Sequence, residues 1–72
     1  MIHLTRLNDT VFVVNTDLIE YMESTPDTVI TLTTGKKLVV RESVDDIIER
    51  IVHYRRRLFH ITYEKLTDGN EV

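Results

Sequence analysis

Val29-Ile30-Thr31-Leu32-Thr33-Thr34-Gly35-Lys36-Lys37-Leu38-Val39-Val40-Arg41-Glu42-Ser43-Val44-Asp45-Asp46-Ile47-Ile48 contains the point at which the hydrophobic period of this chain changes. Ahead of Ser43 the β-branched content and the alternation of Leu38 and Val40 with their neighbours fit extended strands. Beyond it Val44, Ile47, Ile48, Ile51, Tyr54, Arg55 and Leu58 follow the i, i+3, i+4, i+7 spacing of one helical face. A hairpin feeding an amphipathic helix therefore sets the fold class as α+β.

Side-chain parity decides the hairpin. A two-residue loop places Leu32 opposite Lys37, whereas a three-residue loop of Thr33-Thr34-Gly35 pairs Ile30 with Leu38 and Thr28 with Val40, keeping the apolar side chains on one face. The longer loop also gives Gly35 the left-handed position of a type I turn with a G1 bulge, where the lack of a Cβ is an advantage. On the helix side, Ser43 with Asp46 three residues on resembles a capping box, and Asp45 and Asp46 stand where the helix dipole favours negative charge. Helix is expected from Val44. Asp45, Glu49, Arg50, His53, Arg56 and Arg57 fall mainly on its solvated side, and Arg55-Arg56-Arg57 complement its C-terminal end if it stops soon after.

Towards the N-terminus, Ile2 and Leu4 alternate with His3 and Thr5, Asn8-Asp9-Thr10 gives a turn, and Val11-Phe12-Val13-Val14 supplies a second strand. A third strand, about Leu18 to Ser24, needs a bulge near Glu20 or Tyr21 to bring Ile19 and Met22 to one face. Thr25-Pro26-Asp27-Thr28 fits a type I turn. Leu58-Phe59-His60-Ile61-Thr62-Tyr63 is open between helix and strand. The expected architecture is an antiparallel meander of about five strands packed by one C-terminal amphipathic helix, a single domain over residues 1–63, with a mobile tail at 64–72. Its expected core is Ile2, Leu4, Phe12, Ile19, Met22, Ile30, Leu38, Val40, Ile47, Ile48 and Ile51.

Composition narrows the function. With 42% hydrophobic and 29% charged residues the chain reads as one globular domain, and at 72 residues it is small enough that self-association or a partner is an expected source of support. It has no cysteine, which excludes disulfides, thiol nucleophiles and thiolate zinc sites. The opening residues lack the basic start and apolar stretch of a signal peptide, so a cytoplasmic location without membrane insertion is expected. A net charge of −3 gives no overall attraction to nucleic acid or anionic lipid.

Catalytic and metal chemistry find little support. His53 and His60 lie about 10.5 Å apart along a helix axis, too far to share an ion without further ligands, and His3 adds no patterned carboxylate. Capping and solvation account for Asp45, Asp46 and Glu49, and Gly35-Lys36 lacks the rest of a phosphate-binding loop. No enzyme activity and no cofactor are expected. The basic residues form two local groups, Lys36, Lys37 and Arg41 on the hairpin and Arg55, Arg56 and Arg57 on the helix. The acidic total and the lack of aromatic pairs for base stacking weigh against nucleic acid, and an acidic protein surface suits the same charges.

Leu4-Thr5-Arg6-Leu7-Asn8, Phe12, Asn15, Ile19-Glu20, Pro26-Asp27-Thr28, Thr31-Leu32, Gly35-Lys36-Lys37, Val40, Glu42-Ser43 and Tyr54-Arg55-Arg56 together resemble the FlbD/SwrD family of small bacterial flagellar proteins. Two turn positions depart from that pattern: Asp9 stands where glycine is usual, and Thr34 where asparagine is common. Asp tolerates a left-handed backbone, so the first hairpin is expected to survive. The resemblance implies a cytoplasmic, non-enzymatic factor for flagellar motility and swarming, thought to raise motor power through the torque-generating stators. Lys36, Lys37, Arg41, Arg55, Arg56 and Arg57 are then the expected partner-binding residues. Met1 to Arg6 also looks like the opening of the carbon storage regulator family of RNA-binding proteins, a likeness confined to the first strand, and a gel shift with GGA-loop RNA separates the two. A third reading is a scaffold that pairs its sheet edges between copies as a homo-oligomer.

Overall fold

A computed structural model describes the backbone of residues 1–70 and the side chains of residues 1–59. The elements run β1 (Ile2–Thr5), β2 (Val11–Val14), a short 3-10 turn (Thr16–Leu18), β3 (Ile19–Ser24), β4 (Thr28–Leu32), β5 (Lys37–Val40) and α1 (Val44–Asn70). Five strands and one C-terminal helix give the α+β class expected from the period change at Ser43.

The strands form two antiparallel sheets, β1-β2 and β3-β4-β5, rather than one continuous meander. The division comes from the Asn15-Thr16-Asp17 segment. The Asn15 side chain accepts from the Asp17 amide at 3.0 Å and its carbonyl accepts from the Leu18 amide at 3.0 Å, so the chain coils once before β3 begins. Leu18, expected to open the third strand, belongs to that turn. The sheets meet where β1 ends and β5 ends: Arg6 bridges Val40, and the Arg41 amide donates to the Thr5 carbonyl at 2.8 Å.

The β4-β5 hairpin keeps the register that parity demanded, with Thr28 paired to Val40 and Ile30 to Leu38. In the first hairpin Ile2 pairs Val14 and Leu4 pairs Phe12. Among the described residues the left-handed ones are Asp9, with φ of 68°, and Gly35, with φ of 89°, one in each loop. The register between β3 and β4 shifts between Ile19 and Tyr21, the bulge that brings Ile19 and Met22 onto the core together. The chain reverses at Pro26 between β3 and β4 as expected, and the Thr25–Pro26 peptide is cis.

Ile2, Leu4, Val14, Ile30, Leu38, Val40 and Ile47 make the buried core, with Phe12, Ile19, Met22, Leu32, Ile51 and Tyr54 packed against it. Val14 joins because it lies two residues from Phe12 on the same face of β2. Ile48 does not: it is 45% exposed, since one helix cannot aim both Ile47 and its neighbour, about 100° further round, at the same sheet. The Asp46 amide donates to the Ser43 hydroxyl at 3.1 Å, the cap expected at the helix start.

The helix does not end after the arginines. It runs through 58–63 as helix and on to Asn70, so Arg55, Arg56 and Arg57 lie within it and do not complement its C-terminal dipole. The mobility expected of 64–72 concerns side chains, and at 71–72 a backbone, that lie outside the described residues.

Candidate interaction surface

Where β1, β5 and the start of α1 converge, one carboxylate is enclosed. Glu42 accepts from the Thr5 amide and the Thr5 hydroxyl, both at 2.8 Å, and its side chain is only 9% exposed. The Arg50 guanidinium lies 3.9 Å from it, pairs with Asp46 one turn back at 3.2 Å, and donates to the His3 carbonyl at 2.8 Å. Burial pushes the Glu42 pKa up, but the Thr5 amide and hydroxyl, its own amide and Arg50 together outweigh that and hold it below the usual glutamate value. A carboxylate held ionised by satisfied donors is a structural tie, not a proton donor. Sequence reasoning assigned Arg50 to the solvated face and gave Glu42 no role; neither residue type announces a partner so distant along the chain.

The two histidines with described side chains, His3 and His53, border one shallow depression together with Arg50 and Arg57. Two arginines and no carboxylate line it, a poor setting for a metal ion, and among the described residues no group of three His, Cys, Asp or Glu is placed to hold one.

The six basic residues expected to bind a partner are distributed unevenly. Lys36 and Lys37 are exposed at the β4-β5 tip. Arg41 lies at the opposite end of β5, where it donates to the Leu7 carbonyl and pairs with Asp9 at 2.7 Å, which ties the first hairpin to the second sheet. Arg55 reaches Asp17 at 3.3 Å. The amide of Thr33, which opens the tip loop, donates to the neighbouring Leu18 carbonyl at 2.8 Å, so the 3-10 turn links the Lys36-Lys37 loop to Arg55 on the helix. Arg56 and Arg57 are exposed and have no carboxylate partner among the described residues. The structure thus connects the tip with the helix segment and separates Arg41 from both.

One further feature escaped the sequence reading. Val52, Arg55, Arg56 and Phe59 line a shallow groove on the helix, and Phe59 is 75% exposed, the most exposed large apolar side chain described. The signal was present as a second set of apolar positions, Ile48, Val52 and Phe59, one residue out of step with the core stripe.

The fold and this surface define a small α+β domain with a helix presenting arginines and apolar side chains together. No described helix is long and apolar enough to cross a membrane. The chain belongs to the FlbD family of flagellar and swarming motility proteins, whose family model matches residues 1–59, all five strands and the helix as far as Phe59. No curated protein and no solved structure matches it. Membership ties the chain to flagellar and swarming motility, and the family is one of motility rather than of enzymes.

Many of the residues that carried the resemblance hold the fold. Thr5 and Glu42 form the tie, Asn15 and Ser43 cap, Gly35 occupies the left-handed corner, and Arg6 stacks on Phe12 with 4.4 Å to the ring centroid. The side chains of Lys36, Lys37 and Arg56 make no hydrogen bond or ion pair among the described residues.

Proposed function

We propose that this protein is a non-enzymatic cytoplasmic factor that supports flagellar motor power by docking on the torque-generating stator through protein–protein contacts. The observation that carries the reading is the exposure of Lys36, Lys37, Arg56 and Arg57 without carboxylate partners among the described residues, in a chain whose family is defined by motility. Clustered lysine and arginine complement acidic cytoplasmic loops, where unlike charge raises the rate of encounter and fixes orientation. Arg55 contributes from the same segment once Asp17 yields it, at small cost because that ion pair is exposed. Arg41, engaged by Asp9 and Leu7, adds positive charge at a separate place.

The test replaces Lys36, Lys37, Arg56 and Arg57 with glutamate in a motile host that lacks its own copy. Swarming is expected to fall while the protein level and helix content hold. Unchanged swarming at normal protein level refutes the docking surface.

A further inference from the structure

We infer that the exposed helix ridge of Ile48, Val52 and Phe59 is an antiparallel dimer seam, whose occupant is the same ridge of a second copy of this chain. The spacing is that of a coiled-coil seam, with Ile48, Val52, Arg55 and Phe59 separated by four, three and four residues. These positions lie beside, not on, the stripe of Ile47, Ile51 and Tyr54 that packs on the sheets, so the seam remains open once the domain has folded.

Charge selects both the occupant and its direction. The N-terminal half of this face carries Asp45 and Glu49, and the C-terminal half carries Arg55 and Arg56. A parallel neighbour sets like charges against like. An antiparallel neighbour sets Ile48 against Phe59 of the second copy and Val52 against the aliphatic stem of its Arg55, and brings Glu49 beside its Arg56 on the same flank. The two-fold axis repeats every contact, so each favourable pair counts twice. Glu49 and Arg56 have no ion-pair partner within the chain among the described residues, which leaves both available. The seam is short, so the dimer is expected to be dynamic and concentration-dependent. The seam shares Arg55 and Arg56 with the proposed docking surface, and it is tested on pure protein, where motility plays no part.

Sedimentation velocity on the full chain, with circular dichroism to confirm the fold, decides it. At about 0.1 mM the wild type is expected to be largely dimeric, a concentration above the micromolar dissociation constant of a modest interface. Phe59→Ala removes an exposed side chain, leaves the domain folded, and is expected to weaken association roughly tenfold or more. Glu49→Arg and Arg56→Glu each set like charges together and weaken it by roughly tenfold. The double variant restores the unlike pairing and recovers to within about threefold of wild type. A wild type that stays monomeric, a dimer indifferent to Phe59→Ala, or a double variant no better than its singles overturns the inference. So does a monomer that binds phosphatidylglycerol vesicles through Phe59, which assigns the ridge to a lipid surface.

Discussion

The donors around a carboxylate enclosed like that of Glu42 favour its charged form over its protonated form, and this makes it a pH-dependent element of stability. Its folded pKa lies below that of the unfolded chain, so the folded state binds the proton less readily. The stabilisation is fully present above the unfolded value, about 4.3, and is lost as the pH falls through the folded value. Urea midpoints are therefore expected to drop steadily below about pH 4.5. Glu42→Gln removes the titrating group, flattens its part of that dependence, and lowers stability at neutral pH by about 1–3 kcal/mol, because Thr5 and Arg50 lose a charged acceptor. A Glu42→Gln chain whose stability matches wild type at pH 7, or whose acid profile is unchanged, excludes the tie as described. Asp9 is the other informative single residue: it accepts a φ of 68° at a glycine-preferring corner and also holds Arg41 at 2.7 Å, so the departure from glycine leaves the turn intact and adds an ion pair.

At the scale of elements, the β4-β5 hairpin depends on one backbone conformation. A Cβ built at Gly35 meets no atom within 4 Å, so space is not the constraint; its φ of 89° is. Gly35→Ala is expected to cost about 1 kcal/mol of unfolding free energy without altering the register, measured by urea titration with amide chemical shifts as the structural check. A neutral result removes the left-handed strain from the account. This hairpin was legible in the sequence because parity and glycine agreed on the loop length, and the helix start was legible because Ser43, Asp46 and the period change agreed on a boundary. The bulge in β3 was readable for a similar reason, as Ile19 and Met22 could share a face in no other way. The turn at Thr16–Leu18 was not, since Asn15 caps it through a local hydrogen bond that leaves no hydrophobic pattern. Of the expected partner-binding residues, the exposure of Lys36 and Lys37 followed from their place at a hairpin tip. The engagement of Arg41 and Arg55 depended on carboxylates more than thirty residues away, which periodicity cannot reveal.

For the molecule as a whole, the consequential property is that α1 carries two apolar stripes offset by one residue. Ile47 is fully buried against the sheets, whereas Ile48 beside it is 45% exposed. A sequence reading treats both as core, because adjacent isoleucines satisfy the same i, i+3, i+4 pattern and only the direction from which the sheets approach separates them. The two positions are therefore expected to respond to the same substitution quite differently. Ile47→Ala removes a side chain from the centre of a small core and should lower stability by about 2–5 kcal/mol, enough to unfold much of the population of a domain this size. Ile48→Ala, measured at a dilution where the chain is monomeric, should change it by no more than about 0.5 kcal/mol. At high protein concentration the second variant gains a cost that the dilute sample does not show, because mass action then couples folding to the seam between copies. Urea denaturation of both variants over a concentration series separates the packing of the domain from the packing between domains. Equal losses at Ile47 and Ile48 in dilute solution refute the division of α1 into an inward and an outward stripe.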